Sequence, residues 1–345
     1  MPIVSVVMPV YNGSQFLPES IESILNQSFS DFEFIIIDDA SIDNSAEIIS
    51  NYKDDRIVSV KNSRNMGVAR TLNKGISLAN GKYIVRMDAD DISVLKRLEL
   101  QVRFMEANSH IGISGGWVKL FGFGCPTIAR VPQGFDEVAA YMMFENPLWH
   151  MTVIMRKELI ETHNLQYDPI FTRSEDYELW TKAIQHFPIA NLGRVLVKVR
   201  EHGNSATRAN WDEVTVQTEK ILARLLSRSG IPVTIEDIGF HHRIGRGYRV
   251  KTRKEIEGSE AWLKKLCDAN MVLGRIKDNA YRRSVAMVWF RLCANSGPLG
   301  PWVFRKWCTS PLATGYPQPV DGIIRFVASI FWHKCRRMLP VPRVK

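Results

Sequence analysis

The chain has 345 residues, of which 45% are hydrophobic and 23% charged, which excludes a disordered protein and allows one large α/β domain with an appendage, or two domains. Five widely spaced cysteines without a Cys-x-x-Cys pair argue against a disulfide framework and a zinc site, and predict a reducing compartment. The net charge of +9 combines −6 over residues 1–240 with +15 over residues 241–345, so the C-terminal third is expected to meet an anionic surface, either membrane or nucleic acid.

Over the first 120 residues, apolar runs typical of strands alternate with segments of helical hydrophobic spacing. Strands are predicted at the apolar runs Val4–Val10, Phe32–Ile37, Ile57–Val60, Lys82–Met87 and Ile111–Val118. Helices are predicted between them, at Ser14–Asn26, Asn44–Tyr52, Val68–Ala79 and Val94–Ala107. Because continuous apolar strands alternate with helices, we predict a Rossmann-like α/β fold with a mostly parallel sheet flanked by helices.

Beyond residue 120 the alternation is less regular. A strand is predicted near Met151–Met155, a helix at Glu175–Phe187 and a strand at Ile189–Val199. Past Trp211, helices are predicted at 212–228, 255–270, 277–294 and 321–338. These patterns predict an α/β domain over residues 1–210 and a basic helical region over residues 211–345.

Polar side chains follow the predicted strands at their carboxyl ends, where parallel sheets bind ligands. Pro9-Val10-Tyr11-Asn12-Gly13 follows the first strand, Asp38-Asp39 the second and Asp88-Ala89-Asp90-Asp91 the fourth. Three carboxylates within four positions repel one another unless a hard divalent cation binds, commonly with substrate phosphates. We therefore predict a metal site that handles a diphosphate, although any single segment can be an ordinary turn, and Asp38-Asp39 alone is equally typical of one.

Five ordered motifs together resemble a family 2 glycosyltransferase of the GT-A fold, of the bacterial type that builds cell-surface polysaccharides. They are Val-Ser-Val-Val-Met-Pro-Val-Tyr-Asn-Gly, Ser-Ile-Leu-Asn-Gln, Ile-Asp-Asp-Ala-Ser, Asn-Met-Gly-Val-Ala-Arg and Met-Asp-Ala-Asp-Asp. The resemblance covers residues 3 to about 205. It implies a nucleotide-binding half over residues 1–120 and an acceptor half over residues 121–210, with Mn²⁺ or Mg²⁺ as cofactor.

The resemblance also assigns a donor site for a nucleotide sugar. Tyr11 and the backbone around it would contact the uracil, and Asp39 would accept a hydrogen bond from its ring NH. Arg70 would face the nucleotide, whereas an ordinary surface arginine is the alternative. Asp90 would be the direct metal ligand, and Asp88 would bind the ribose or help to hold the metal. The full donor-binding set is Pro9, Tyr11, Asn12, Asp39, Gly67, Arg70 and Asp88.

Sugar transfer needs a base that takes the proton of the attacking hydroxyl. Carboxylates at the start of a helix, as in Ser174-Glu175-Asp176, are also common without any catalytic role. The resemblance implies that Asp176 is the base, that Glu175 lies in the acceptor site with His150 and Trp180, and that the anomeric carbon is inverted. In Arg200-Glu201-His202-Gly203-Asn204-Ser205, His202 would be a metal ligand or phosphate contact, although a lone histidine is more often structural.

The last predicted helix combines apolar positions with Lys334, Arg336 and Arg337. This pattern is typical of a helix on an anionic membrane surface, and equally of a helix that packs on a core. With no signal peptide expected and no run of about 18 apolar residues, we expect a cytoplasmic protein, peripheral on the inner face of the plasma membrane. A glycan or lipid-linked oligosaccharide is the expected acceptor.

Three other functions compete with sugar transfer. A sugar-nucleotidyltransferase also uses strand-end aspartates, but its glycine-rich basic loop is absent after the first strand, as is a dinucleotide-binding GxGxxG. A silent sugar-nucleotide-binding protein is disfavoured because Asp176 and the Asp-x-Asp motif are intact. Nucleic acid is not expected as a partner, since the basic region shows neither a zinc finger nor an aromatic RNA-binding signature. The identity of the sugar is not predicted.

Overall fold

The structure is a computed structural model that describes residues 1–123, 125–202, 211–274, 276–314 and 320–338, with the side chains of the last helix described as far as residue 331. It divides into two compact units. The first comprises Met1–Val138 and Asn146–Ile221, and the second Ala139–Glu145 and Leu222–Lys345. The expected domain boundary at residue 210 lies outside the described residues.

One sheet organises the first unit. Its nine strands in the described residues are β1 (Val4–Val10), β2 (Phe32–Asp38), β3 (Ile57–Lys61), β4 (Tyr83–Arg86), β5 (Ile92–Ser93), β6 (Ile113–Phe121), β7 (Thr127–Ala129), β8 (Ile154–Arg156) and β9 (Ile189–Arg200). Their order is β3-β2-β1-β4-β8-β6-β9-β5, with β7 paired to β6. The first four strands in this order are parallel, whereas β8 is antiparallel to both β4 and β6, so the sheet is mixed beyond β4.

Helices lie between the strands, as the alternation predicts. They are α1 (Leu17–Leu25), α2 (Ser45–Asn51), α3 (Val68–Leu78), α4 (Arg97–Ala107), α5 (Phe135–Met142), α6 (Lys157–Thr162) and α7 (Glu175–Ala183). The strands and helices predicted for the first 120 residues are all present, with ends that differ by a few residues. The periodicity did not predict β5, β7 or α6, because segments this short show no recognisable period.

Close helix–sheet packing brings the strand ends together at one edge. Helix α3 lies directly on β1, since a Cβ at Gly75 would be 2.3 Å from Cγ1 of Val7. On α1, Leu17, Ile21 and Ile24 are fully buried against the apolar interior of the sheet. The parallel register between β1, β2 and β4 therefore places the loops that follow these strands side by side.

The described chain beyond residue 210 is helical. The helices are α8 (Trp211–Arg228), α9 (Ile235–Gly245), α10 (Arg253–Leu273), α11 (Asp278–Asn295), α12 (Pro301–Thr309) and α13 (Val320–Met338). Helices α9 and α12 were not predicted, although Thr234 forms a capping box with Asp237 at the start of α9. The second unit has a core of its own around Trp289, Leu263 and Tyr281.

Helix α13 only partly matches the expectation of a membrane-surface helix. Phe326 and Ile330 are buried in the core of the second unit, whereas Ile324 and Phe331 are exposed. The predicted basic end, with Lys334, Arg336 and Arg337, lies outside the described side chains. Among the described helices, none combines the length and the apolar character needed to cross a membrane.

Candidate active site

Three carboxylates converge on the loop between β4 and β5. Ligand oxygens of Asp88, Asp90 and Asp91 all lie within 4.8 Å of one another. Burial raises the pKa of Asp91 well above the usual value of an aspartate, and the charges of Asp88 and Asp90 add to the rise. Such a cluster fits a divalent cation, because binding one would relieve the repulsion between the carboxylates.

The end of β9 holds this loop in place. The backbone N–H of Arg200 donates to Oδ1 of Asp91 at 2.9 Å, and its Nε donates to the carbonyl oxygen of Asp90 at 3.1 Å. The same guanidinium pairs with Glu19 and lies over the ring of Phe16, 4.5 Å from its centroid. Strand β9 therefore holds Asp90 and Asp91 in position through Arg200.

His202 lies beside the acidic cluster. Its Nε2 is 3.1 Å from Oδ2 of Asp90. Its ring also packs against Phe16, with 5.1 Å between the centroids. The remainder of the motif, Gly203-Asn204-Ser205, lies outside the described residues.

Two buried arginines lie behind the acidic cluster. Arg86, the last residue of β4, is 6% exposed and pairs with the carboxylate of Asp88. Arg97, at the start of α4, is fully buried and donates from Nη2 to the carbonyl oxygen of Arg86 at 2.7 Å. Burial first, and then the adjacent Arg86 charge, lower the pKa of Arg97 to about 9. These cations offset part of the negative charge of the cluster.

Asp39 organises the loop that leads into α3. Its Oδ1 accepts hydrogen bonds from Nδ2 of Asn62 at 2.7 Å and from the N–H of Met66 at 2.9 Å. Its Oδ2 accepts from the N–H of Gly67 at 2.9 Å. Gly67 has a φ of 82°, a conformation that favours glycine. A carboxylate has about four lone-pair positions, and these three hydrogen bonds use three of them.

The other predicted donor residues surround this loop. Pro9 pairs with β2 inside the sheet, and Tyr11 after β1 is 50% exposed, so its ring is free to contact a ligand. Asn12 adopts a φ of 51° and is held by Ser41, whose Oγ accepts from its N–H at 3.0 Å. Arg70 is exposed on the first turn of α3.

Glu175 and Asp176 begin α7. The N–H of Tyr177 and Nδ2 of Asn146 donate to the two oxygens of Asp176, at 2.6 and 2.7 Å. Burial raises the pKa of Asp176, against the effect of these hydrogen bonds. Burial also raises the pKa of Glu175 to about 8, and the Asp176 charge adds to the rise. Ser174 makes no side-chain capping hydrogen bond to this helix.

An aromatic group supports the acid pair. His150 shares a 2.9 Å hydrogen bond between Nε2 and the hydroxyl of Tyr167, and its Nδ1 is 3.8 Å from Oε1 of Glu175. Burial lowers the pKa of His150 well below its usual value, as does the charge of Arg86, which favours neutral imidazole. Trp180 packs edge-on against both rings and is fully buried, so it supports the acid pair through its contacts with His150 and Tyr167.

The structure brings the predicted residues into three groups: the carboxylate cluster with His202, the loop around Asp39, and the pair Glu175–Asp176 with its aromatic neighbours. It adds residues that the sequence reasoning did not assign. They are Arg86, Asn146, Tyr167 and Arg200. For Arg86 the signal was a charge inside an apolar strand. Asn146 and Tyr167 reach the site through tertiary contacts, and the sequence around them does not indicate this.

Comparison with known proteins identifies the family. Residues 5–127 match the model for glycosyl transferase family 2. An uncharacterized Haemophilus influenzae glycosyltransferase is 32% identical over 68% of this chain and 77% of its own length. The putative glycosyltransferase EpsE of Bacillus subtilis is 37% identical over 61% of this chain and 77% of its own length. The amylovoran biosynthesis glycosyltransferase AmsE of Erwinia amylovora is 27% identical over 62% of this chain and 83% of its own length.

Solved structures share the fold at low sequence identity. S. aureus TarS 1–349 in complex with UDP-GlcNAc superposes with a TM-score of 0.55 and 17% identity, over 89% of this chain and 92% of that one. The Pyrobaculum calidifontis mannosyltransferase PcManGT, in complex with GDP-Man and Mn²⁺, superposes with a TM-score of 0.52 and 15% identity, over 96% of this chain and 88% of that one. Together with the relatives, these matches show that the chain belongs to glycosyltransferase family 2 and is a glycosyltransferase of the GT-A fold.

Proposed function

We propose that this glycosyltransferase is metal-dependent and inverting, and that it moves a sugar from a UDP-sugar to a hydroxyl of a glycan or lipid-linked acceptor in cell-surface polysaccharide synthesis. The observation that carries the proposal is that one unit holds both the acidic cluster around Asp90 and the acid pair Glu175–Asp176. The name of AmsE supports the polysaccharide context, and the ligands of TarS and PcManGT support a nucleotide-sugar donor.

Asp90 and Asp88 are the residues that would hold the cation. Carboxylate oxygens are the ligands preferred by Mg²⁺ and Mn²⁺. Asp90 is the more accessible, with 41% of its side chain exposed compared with 25% for Asp88. A bound Mn²⁺ or Mg²⁺ would neutralise charge that develops on the leaving nucleoside diphosphate. His202 orients Asp90, and Arg86 orients Asp88.

The donor loop would bind the nucleotide. Tyr11 offers an exposed ring to a planar base, and Asp39 retains an acceptor position for a ring NH. Because Asp39 also holds Met66 and Gly67, the loop is already shaped before a ligand arrives. Arg70 lies one turn into α3 and is exposed, so its guanidinium is available to phosphate.

Asp176 would act as the base. Hydrogen bonds from Tyr177 and Asn146 fix the orientation of its carboxylate, which then accepts the proton of the attacking hydroxyl. Burial raises its pKa, which strengthens it as a base because efficient proton acceptors have pKa values close to the working pH. Glu175 would bind the acceptor through its buried carboxyl group.

The test combines the purified chain with Mn²⁺ and a panel of UDP-, dTDP- and GDP-sugars, with water taking the place of the acceptor hydroxyl and release of the nucleoside diphosphate as readout. We expect turnover with a UDP-sugar that is lost when EDTA removes the metal. Asp90→Ala and Asp176→Asn should each remove most of the turnover. Unchanged turnover in both variants would overturn the assignment of these residues, and absence of turnover with every donor would overturn the proposed reaction.

We also propose that α13 contacts an anionic membrane surface. Val320, Ile324 and Phe331 are exposed and lie on one side of the helix, away from buried Phe326 and Ile330. The region from residue 241 to the end carries a net charge of +15, which attracts anionic lipids. Ile324→Ser/Phe331→Ser should reduce sedimentation with anionic vesicles and leave Tm unchanged. Equal sedimentation of this variant and the native chain would exclude α13 as the contact.

A further inference from the structure

Asn73, on the helix that follows the Asp39 loop, holds a residue 94 positions further along the chain. Its Nδ2 donates to the carbonyl oxygen of Tyr167 at 2.8 Å, and its Oδ1 accepts from the N–H of Tyr167 at 2.9 Å. One amide side chain thus pairs with both backbone polar groups of one residue, as a residue of a neighbouring β-strand would. Tyr167 lies outside the helices and strands, where backbone groups need such partners. Asn73 therefore fixes the position of Tyr167.

The side chain of Tyr167 extends this placement into the interior. It is buried, and its hydroxyl shares a hydrogen bond of 2.9 Å with Nε2 of His150. The ring of Trp180, on α7, packs edge-on against both, with its centroid 6.3 Å from that of Tyr167 and 6.0 Å from that of His150. The other ring nitrogen of His150, Nδ1, is 3.8 Å from Oε1 of Glu175, the first residue of α7. The tyrosine and the histidine are thus held between Asn73 and the helix that carries Glu175.

We propose that Asn73 is a positioning residue, which acts through Tyr167 to hold His150 in place beside Glu175. The steps from Asn73 to Tyr167 and from Tyr167 to His150 are direct hydrogen bonds between half-buried or buried groups. This inference rests on the proposed function, which gives Glu175 a role in binding the acceptor. It extends that function by placing a residue of α3, the helix that follows the nucleotide loop, in support of the acceptor side.

The same helix is also joined to the Asp39 loop. Nδ2 of Asn62 donates to Oδ1 of Asp39 at 2.7 Å and to Oγ1 of Thr71, on α3, at 3.3 Å. Nζ of Lys74, the residue after Asn73, donates to Oδ1 of Asn62 at 2.7 Å. One helix therefore makes contacts both with the Asp39 loop and with the aromatic group. Asn73 thus places the aromatic group relative to the loop that would bind the nucleotide.

These contacts also determine which nitrogen of His150 carries the proton. Burial lowers the pKa of His150 well below its usual value, so the imidazole is neutral and carries one ring proton. The oxygen of Glu175 near Nδ1 favours the proton on that nitrogen, which leaves Nε2 to accept from the hydroxyl of Tyr167. Loss of the Asn73 side chain should displace the hydroxyl and allow the proton to occupy Nε2 in part of the molecules. The tautomer of His150 therefore reports on the role of Asn73.

The test is nitrogen NMR of the full chain with isotope-labelled histidine, with no donor or acceptor present. The chemical shifts of the ring nitrogens distinguish a protonated nitrogen from an unprotonated one, and His150→Gln identifies the signals of His150. We expect a protonated Nδ1 and an unprotonated Nε2 in the native chain, and a mixture of both tautomers in Asn73→Ala. Tyr167→Phe, which removes only the hydroxyl, should give the same change.

Asn108→Ala is the matched control. Asn108 is also half-buried, but its Nδ2 donates to the carbonyl oxygen of Phe104 at the end of α4, so its loss should leave the tautomer of His150 unchanged. Native His150 signals in Asn73→Ala, or an equal change in Asn108→Ala, would overturn the proposal. If Asn73→Ala does not fold, Asn73→Asp decides, because its carboxylate still accepts from the N–H of Tyr167 but cannot donate to the carbonyl oxygen. Mixed tautomers are expected there too, and the native tautomer would overturn the proposal.

Turnover of the same variants separates this inference from the proposed function. Asn73→Ala should lower kcat by about 10- to 100-fold, because a small misplacement of groups around the reacting atoms has a cost of this size. The rise in Tm with UDP and Mn²⁺ should not change, since Asn73 makes none of the hydrogen bonds described for Asp39. A native chain without turnover would overturn the proposed function and leave the tautomer test valid. A native chain that turns over, with an equal kcat in Asn73→Ala, would overturn only the role of Asn73.

Discussion

Nε2 of His202 lies 3.1 Å from Oδ2 of Asp90, although 112 residues separate the two in the chain. Asp90 thus has a partner that can hold one carboxylate oxygen while the other faces a ligand. Groups that orient metal ligands in this way commonly contribute 10- to 100-fold to metal affinity. The contact therefore leads to a prediction about metal binding rather than about stability.

His202→Ala should weaken Mn²⁺ binding by about 10- to 100-fold, because the Asp90 carboxylate loses its fixed orientation. The measurement is the rise in Tm on titration with MnCl₂ in the presence of UDP, since a ligand that binds the folded state stabilises it. His110→Ala, at an exposed position, is the control. Identical Mn²⁺ titrations for both variants would contradict the role given to His202.

Asp176→Asn should lower the turnover number by about 10²- to 10⁴-fold, the usual contribution of a general base. The binding of UDP and Mn²⁺ should not change, because Asp176 lies on the acceptor side. The measurement pairs nucleoside diphosphate release with the UDP-dependent shift in Tm. Exposed Asp268→Asn on α10 is the control. Loss of both turnover and UDP binding would mean that Asp176 maintains the fold rather than the chemistry.

Glu175→Gln should stabilise the protein more at pH 8 than at pH 5. Burial first, and then the Asp176 charge, raise the pKa of Glu175 to about 8, so the folded chain holds a proton there that the unfolded chain releases near pH 4.5. Native stability contributed by this group therefore falls as pH rises between those values. One pKa unit corresponds to about 1.4 kcal/mol, so the effect should be visible in chemical denaturation. An equal gain at both pH values would contradict it.

Two glycines should respond to alanine with opposite signs. Gly75→Ala should destabilise by about 1–3 kcal/mol, because its Cβ would lie 2.3 Å from Cγ1 of Val7 in the packed face of β1. Gly258→Ala, in the exposed part of α10, should stabilise by about 0.5–1 kcal/mol, since its Cβ would meet only Phe240 at 3.8 Å. Urea denaturation measures the change in the free energy of unfolding for each variant. A stable Gly75→Ala would show that α3 can move away from the sheet.

The sequence predicted the first half of the fold well, because its strands and helices are long enough to show their periods. Strand β5 has two residues and β7 has three, which is too few to show any period. Strand β5 nevertheless matters for the site, because it directly follows the acidic loop and pairs with β9. The acidic cluster was predictable because its carboxylates are adjacent in sequence.

The environment of the acid pair was less predictable. Asn146 reaches Asp176 across 30 residues, and Asn73 holds the backbone of Tyr167 across 94 residues. An arginine inside an apolar strand, such as Arg86, indicates that a charge partner exists but not which residue it is. Such roles depend on tertiary contacts, which the hydrophobic pattern of a single segment does not specify.

The pairing of β5 with β9 has a consequence for how the protein acquires its site. Ile92 pairs with Lys198 and Ser93 with Val197, so the acidic loop is braced by a strand made about a hundred residues later. Contacts this distant in sequence form slowly, because the chain must close a large loop first. A nascent chain that ends at residue 127 would contain every donor motif, but not the strand that braces their carboxylates. We therefore expect metal affinity to appear late in synthesis, after β9 has joined the sheet.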